Sequence, residues 1–332
     1  ILIGPDIHRE GVNPEFDEDP NLLRSWRQMV YNDGIRIRVG HWKVKGNPLV
    51  VLVDFTSFFS SKDEVLKFLW ETYRVDSISG QWDYIEPVLF GYAAGKVIES
   101  YMENFCSSTD KVVAHFHEWM TGSGGLYLQK YAPYTATVFT THATILGRTL
   151  AGNGQPLYSN LQRFNADDYA RQYNIMAKHS IERTSANEFE CFATVSDITA
   201  RECQYLLGRE VDIVTPNGFE DDFVWKGKEF DAKRKTAKAA MIKVAEACLD
   251  YKFEKDPLIV GTSGRYEFKN KGLDVLMESL KQVAADVTQE RDVLAYITEP
   301  AGNGGPRKDL QAHLADPSKP IDRSLYKHTT HY

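Results

Sequence analysis

Short runs of apolar, β-branched residues alternate along the chain with longer stretches in which apolar positions recur at helical spacing. The short runs predict strands and the longer stretches predict helices. This alternation is typical of βαβ units, so we expect an α/β fold with a mainly parallel sheet and helices on both faces. The predicted strands are 1–4, 35–39, 49–54, 111–115, 135–140, 191–195, 211–214, 258–262 and 292–297. The predicted helices are 61–74, 84–105, 118–130, 166–188, 197–207, 229–249 and 270–285.

Two local signals refine this pattern. Asp83 precedes an apolar run, and Glu86 lies three residues after Asp83. This spacing predicts a capping box at the start of the helix near residue 84. The sequence TPNG at 215–218 follows a strand and precedes a charge-rich stretch, which predicts a crossover turn between two domains. We therefore expect a first domain at 1–216 and a second at 217–332. The second has few predicted strands, so we expect it to be incomplete.

Composition narrows the function without naming it. The 332 residues have a formal net charge of −7, which argues against nucleic acid as the main partner. No apolar run approaches the roughly 18 residues that a bilayer requires, so no membrane partner is expected. The four cysteines show no C-x-x-C spacing, which favours reduced thiols in a cytoplasmic protein over a zinc site or disulfides.

Polar clusters follow four of the predicted strands. They contain His117 and Glu118, then His142 with Arg148, then Asn217, and finally Arg265 with Lys271. Ligands of parallel α/β sheets bind outside the carboxyl ends of the strands, so these clusters mark a binding site.

The residue types in these clusters suit a phosphorylated sugar. Arg148, Arg265 and Lys271 are cations that can hold a diphosphate. His142 and Glu118 are groups that bind sugar hydroxyls or face a reacting centre. The P-loop pattern and the G-x-S-x-G pattern are both absent from the sequence, which argues against a P-loop nucleotide site and an α/β-hydrolase nucleophile.

A metal site is an alternative use of the same region. His115, His117 and Glu118 have side chains that can ligate a metal ion, but no further ligand lies in register with them, so we expect none. His179 and Glu182, three residues apart on one predicted helix, are expected to form a buried polar pair.

The clusters belong to longer stretches that occur in a fixed order. These stretches are VVAHFHEW at 112–119, FTTHAT at 139–144, LGR at 146–148, VTPNG at 214–218, GRYEF at 264–268 and NKG at 270–272. Together with the helix around His179, Glu182 and Arg183, they resemble the glycogen synthase family of the animal and fungal type, which some bacteria also possess.

The resemblance implies two Rossmann-like domains that face a cleft, as in the GT-B glycosyltransferases, with the donor held mainly by the second. It also implies transfer of glucose from UDP-glucose to the non-reducing end of an α-1,4-glucan such as glycogen, with retention of configuration. It implies no metal or other cofactor, and we expect the full-length protein to be a homo-oligomer.

Roles for individual residues follow from the same resemblance. Arg265 and Lys271 would bind the donor diphosphate and stabilise the leaving nucleotide. His142 and Arg148 would contact the donor glucose and its phosphates, with His117 beside them. Glu118 would lie near the reacting sugar, and we assign catalytic roles to Glu118, His142, Arg265 and Lys271. Asn217 would belong to the interdomain crossover or the cleft wall.

The sequence departs from the family pattern in three places. The family has a glycine-rich loop before the point where this sequence starts and a paired-glutamate motif after the point where it ends, so we expect this chain alone to be inactive. The family also senses glucose 6-phosphate through a His-Glu-Phe segment with a following His and Lys. Here Lys228, Glu229 and Phe230 stand in that segment, followed by Arg234 and Lys238. These cations can hold a phosphate, but a solvated helix face is the alternative.

Three functions therefore remain open. The first is an α-glucan synthase that uses UDP-glucose, with ADP-glucose as the other possible donor. The second is a catalytically inactive module that binds glucan or nucleotide. The third is a different nucleotide-sugar glycosyltransferase of the same fold, which acceptor tests would separate.

Overall fold

The computed structural model describes residues 1–7, 15–286, 288, 290–300, 302–324 and 327–329. It contains two compact units, Ile1–Asn217 and Gly218–Tyr332. The strands are β1 (Leu2–Pro5), β2 (Phe16–Glu18), β3 (Arg36–Trp42), β4 (Leu49–Asp54), β5 (Val113–His117), β6 (Ala136–Thr141), β7 (Cys191–Thr194), β8 (Ile213–Val214), β9 (Leu258–Ser263) and β10 (Val293–Thr298). The α/β class predicted from the alternating pattern is confirmed.

Twelve α-helices occur among the described residues. They are α1 (Arg24–Asn32), α2 (Lys62–Tyr73), α3 (Trp82–Phe105), α4 (Gly122–Tyr131), α5 (Ile145–Gly152), α6 (Leu157–Asn160), α7 (Ala166–Gln172), α8 (Met176–Glu188), α9 (Asp197–Glu202), α10 (Gly227–Leu249), α11 (Leu273–Ala285) and α12 (Lys308–Ala315). Within the described part of the chain, none of these helices is long and apolar enough to cross a membrane.

The first sheet of unit 1 has the order β1-β4-β3-β2. Strand β1 pairs parallel with β4, whereas β3 pairs antiparallel with both of its neighbours. This sheet therefore departs in part from the mainly parallel arrangement predicted for the fold, because only residues 43–48 join β3 to β4 and a parallel connection needs a dozen residues or more. The inward side chains Val39, Val51 and Val53 are fully buried.

The second sheet of unit 1 has the order β5-β6-β7-β8, and every pair is parallel. Phe116 stands opposite Phe139 in the register, and Phe139 stands opposite Phe192. All three aromatic side chains are buried, so a continuous apolar layer aligns the strands. As predicted, the carboxyl ends of β5 and β6 meet at one edge of this sheet.

Helices α3 and α4 cross at close range beneath that edge. A Cβ atom built on Gly124 would lie 2.4 Å from the backbone oxygen of Gly91, and one built on Gly95 would lie 2.8 Å from the oxygen of Gly124. The helices therefore approach closely because neither backbone carries a side chain at the crossing. This contact fixes the start of α4, which lies just after the polar end of β5.

Three helix predictions need correction. The predicted helix 166–188 is divided into α7 and α8, because Asn174 adopts a left-handed backbone conformation with φ 55°. The capping box is wrong, since α3 begins at Trp82 and its N-cap residue Gln81 makes no side-chain cap bond. Asp83 lies in the first turn and pairs with Lys178. The predicted helix 197–207 ends in a π-helical turn after α9.

Unit 2 contains a two-stranded parallel sheet of β9 and β10 with helices α10, α11 and α12. Its buried apolar cluster includes Ala247 and Cys248 on α10 and Leu310 on α12. The loop between β9 and α11 carries the predicted cations of this unit.

Candidate functional site

Glu118 begins the polar loop at the end of β5. Its backbone has φ 65° and ψ 161°, a conformation that residues with a side chain rarely adopt. Its amide N–H donates to the carbonyl of Thr140 at 2.8 Å, and its Oε1 accepts from the amide of His142 at 3.1 Å. The Glu118 loop and the His142 loop are therefore tied together across adjacent strands.

Three histidines cluster at this edge of the sheet. The ring of His117 lies 4.2 Å from that of His115, centroid to centroid, and its Nδ1 is 3.2 Å from Nε2 of His142. His115 Nε2 is 2.7 Å from the hydroxyl of Thr140. Burial, with the neighbouring histidines, lowers the pKa of both His115 and His117. The lowered pKa keeps His115 and His117 mainly neutral near pH 7, which leaves their ring nitrogens able to donate to or accept from sugar hydroxyls.

The loop after β6 is held from below by two buried glutamates. Glu182 on α8 accepts from the Thr141 hydroxyl at 2.8 Å and from the Ile145 amide at 2.9 Å. Glu202 on α9 accepts from the Thr144 hydroxyl at 2.9 Å. Burial is the main cause that raises the pKa of Glu182 to about 8.

Sequence reasoning missed the part played by Glu202, and it missed helix α5 altogether. The one available signal was Thr144, which is the N-cap of α5 and accepts from the Gly147 amide at 3.0 Å. Gly147 is required at this point, because a Cβ atom there would lie 2.3 Å from Glu202 Oε2. His179 and Glu182 are both buried as expected, but their side chains make separate contacts and do not form a hydrogen-bonded pair.

The other predicted residues of unit 1 lie at different distances from this cluster. Arg148 lies in the first turn of α5, and its amide donates to the Thr144 carbonyl at 3.0 Å. Asn217 is exposed and follows β8, which is at the far edge of the sheet from β5. The structure therefore brings together His117, Glu118 and His142, adds Arg148 one turn away, and leaves Asn217 apart.

A second group lies in unit 2, in the loop between β9 and α11. The Arg265 side chain is 60% exposed, with its Nε 3.2 Å from Glu267 Oε1. The same carboxylate accepts from the Asn270 side chain at 3.1 Å through Oε2. The methylene groups of Lys271 pass beside Gly264, where a Cβ atom would lie 3.2 Å from Lys271 Cδ. Arg265 and Lys271 are thus brought together in one short loop ahead of α11.

The residues of the predicted phosphate site lie on the first half of α10. Lys228, Glu229 and Arg234 are exposed, whereas Lys238 is half-buried and pairs with Asp256. A helix turns by about 100° per residue, so Arg234 and Lys238 share a face while Glu229 points away from them.

Among the described residues, no group of three or more His, Cys, Asp or Glu side chains is arranged to hold a metal ion. His115 and His117 contact one another and Thr140 instead of converging on a shared point with Glu118.

Comparison with known proteins gives a consistent result. Residues 1–305 match the family model described as glycogen synthase. The chain is 33% identical over 311 residues to a glycogen [starch] synthase of Dictyostelium discoideum, which covers 90% of this chain and 35% of that protein. It is also 33% identical over 309 residues to one of Neurospora crassa, with 90% and 43% covered. The liver glycogen [starch] synthase of Rattus norvegicus is 33% identical over 289 residues, with 85% and 41% covered.

The chain therefore spans less than half the length of these curated relatives. Among solved structures, it is similar to an α,α-trehalose-phosphate synthase (UDP-forming) from Burkholderia xenovorans in complex with glucose 6-phosphate. That match has 11% identity and a TM-score of 0.36, and it covers 84% of this chain and 66% of the other.

Proposed function

This chain belongs to the glycogen synthase family, and from that membership we propose that the protein transfers glucose from UDP-glucose to the non-reducing end of an α-1,4-glucan, with retention of configuration. The observation that carries the proposal is the family match over residues 1–305. The convergence of His117, Glu118 and His142 at one strand edge supports it.

The proposed chemistry divides between the two groups of side chains. Arg265 and Lys271 neutralise the diphosphate of the donor, so that the nucleotide leaves as the glycosidic bond breaks. His142, His117 and Arg148 bind the donor glucose and its phosphates. The Glu118 carboxylate orients hydroxyls or stabilises the oxocarbenium-like sugar. Asn217, which lies apart from the histidine cluster, belongs to the crossover after β8 or to the wall of the binding site.

No metal or other cofactor is required in this proposal. Matching the charge of a nucleoside diphosphate makes it a good leaving group, and fixed cations in a closed site stabilise the developing charge. Membership of the family supports a nucleotide sugar as the donor. The resemblance of the motifs favours UDP-glucose over ADP-glucose.

The test is transfer of radiolabelled glucose onto glycogen by the full-length protein, beside the 332-residue chain alone. We expect incorporation from UDP-glucose by the full-length protein and none by the shorter chain. Incorporation from ADP-glucose but not from UDP-glucose would identify ADP-glucose as the donor. No incorporation from either donor, with binding of glucan or UDP retained, would replace the proposal with a binding module.

Arg265→Ala in the full-length protein tests the role of the second group. Losing one charge-stabilising donor costs about 100-fold or more in turnover, with the fold intact. Arg291→Ala is the matched control. Arg291 lies at the amino end of the same sheet, just before β10, and its side chain contacts Asp256 through Nε at 2.6 Å. Near-normal turnover in Arg265→Ala would remove Arg265 from the site.

Regulation and assembly form a further part of the proposal. Lys228, Arg234 and Lys238 would bind the phosphate of glucose 6-phosphate, which then competes with Asp256 for Lys238, while Glu229 belongs to the same helical segment but faces away from Arg234 and Lys238. Loss of glucose 6-phosphate activation in Arg234→Ala would support this site, and unchanged activation would exclude it. We also propose that the protein is cytoplasmic, which its four free thiols favour. We further propose that it is a homo-oligomer, which light scattering of the full-length protein tests.

A further inference from the structure

Glu182 contacts the loop that carries His142, although no role in contact with the substrate is proposed for it. Its side chain is fully buried on α8, and its two carboxyl oxygens reach residues on either side of a single three-residue loop. Oε1 accepts from the Thr141 hydroxyl at 2.8 Å, and Oε2 accepts from the Ile145 amide at 2.9 Å. One carboxyl group thus bridges both ends of the segment 142–144, which carries His142.

The same contact fixes the start of α5. The Ile145 amide belongs to the first residue of α5, and Arg148 is in the first turn of the same helix. Free amides at a helix N-terminus need an acceptor, and here a buried glutamate supplies one. Glu182 therefore helps to place the backbone of two residues with proposed roles, His142 and Arg148, although none of its hydrogen bonds is made to either of them.

An apolar residue could fill the space of Glu182 with a smaller loss of solvation free energy. A buried carboxyl group pays a desolvation penalty, and the charged groups that act on it, Glu118 and Glu202, are acidic like itself. Glu182 Oε1 and the Thr141 hydroxyl can exchange donor and acceptor roles when the carboxyl group is protonated, because the Thr141 hydroxyl has a second acceptor in the Ala143 carbonyl at 3.3 Å. The presence of a carboxyl group at this buried position is therefore explained by the loop that it holds and not by a gain in the stability of the fold.

We propose that Glu182 is a positioning residue, which holds the loop of His142 and the first turn of α5, with Arg148, in the geometry for glucose transfer. The inference rests on the proposed function, since His142 and Arg148 matter only if the donor binds beside them. It adds to that function a residue that lies beneath the site and makes no substrate contact.

The experiment compares kcat/KM for UDP-glucose in the full-length protein and three variants. Glu182→Met fills the volume but removes both hydrogen bonds, and a displacement of about 1 Å at the loop is expected to lower kcat/KM by about 100-fold. Glu182→Gln keeps both bonds, because its amide donates to Thr141 and its oxygen accepts from Ile145, so we expect kcat/KM within about threefold of wild type. Ser185→Ala, in the same helix, is the control, because the buried Ser185 hydroxyl has no hydrogen-bond partner.

The kinetic constants are referred to folded protein, measured by tryptophan fluorescence and by the thermal midpoint. A merely structural role would lower the folded fraction of Glu182→Met and leave kcat/KM per folded molecule unchanged, which would overturn the inference. If Glu182→Met does not fold, Thr141→Val removes one of the two bonds at nearly constant shape and must also lower kcat/KM per folded molecule. An inactive wild-type protein would instead refute the proposed function, and the inference with it.

Discussion

Replacing the buried carboxyl group of Glu182 by an amide is expected to change how the stability of unit 1 depends on pH. Burial, with Glu118 and Glu202 nearby, raises the pKa of Glu182 from 4.5 to about 8. The folded state therefore keeps a proton that the unfolded chain releases above pH 4.5. Wild-type stability must fall as pH rises from 4.5 to about 8, because only the unfolded state gains the freedom to ionise. Glutamine has no proton to lose and escapes this effect.

The size of the effect follows from the two pKa values. Each unit of pKa difference corresponds to about 1.4 kcal/mol. Between pH 5 and pH 8, the free energy of unfolding of Glu182→Gln should therefore rise relative to wild type by roughly 3 to 4 kcal/mol. Both hydrogen bonds survive in the variant, so the two proteins should be close in stability near pH 5.

Urea unfolding of the 332-residue chain, followed by tryptophan fluorescence, measures this difference. Five of the six tryptophans lie before residue 120, so the signal reports mainly on unit 1. Ser185→Ala is again the control and should differ from wild type by the same amount at every pH. A difference between Glu182→Gln and wild type that stays constant from pH 5 to pH 8 would refute the reasoning, because Glu182 would then titrate alike in the folded and unfolded states.

The packing and the histidine cluster give three further predictions. Gly124→Ala places a Cβ atom 2.4 Å from the Gly91 carbonyl and should lower the free energy of unfolding in urea by about 1 to 3 kcal/mol. Gly218→Ala is the control and should lower it little, because a Cβ atom there has no heavy atom within 4 Å. Equal urea midpoints for the two variants would contradict the close crossing of α3 and α4. Thr144→Ala removes the cap of α5 and should cost about 1 kcal/mol by the same measurement. Because the pKa of His115 is lowered in the folded state, the free energy of unfolding decreases as pH falls below 6.5. His115→Gln should therefore reduce the drop in thermal midpoint between pH 7 and pH 5. An unchanged drop would show that protonation of His115 does not contribute to it.

The pattern of apolar residues was enough to predict the parallel strands and the edge at which their polar loops meet. The strands β5, β6 and β7 are short, β-branched or aromatic runs, and each leads into a polar segment. The sequence therefore indicated that His117, Glu118 and His142 would lie near one another, since neighbouring parallel strands end at the same edge. That inference needed only the direction of each strand.

The contacts beneath the site could not be predicted in this way. Helix α5 has only eight residues and contains Gly147, which weakens its helical pattern. Glu202 lies 58 residues from its partner Thr144, and no local pattern encodes a hydrogen bond at that separation. The division of 166–188 likewise depends on the backbone of one residue, Asn174, whose left-handed conformation the spacing of apolar residues does not encode.

The backbone at Glu118 has a consequence for the history of this protein. With φ 65° and ψ 161°, the residue holds a conformation suited to glycine, and holding it costs about 1 to 3 kcal/mol. Glycine there would relieve the strain but remove the carboxylate to which we assign a catalytic role, so under that proposal stability favours glycine and activity favours glutamate. A gene copy released from selection for catalysis should therefore drift toward glycine at this position. The residue found there in each descendant would record whether its lineage still used the site.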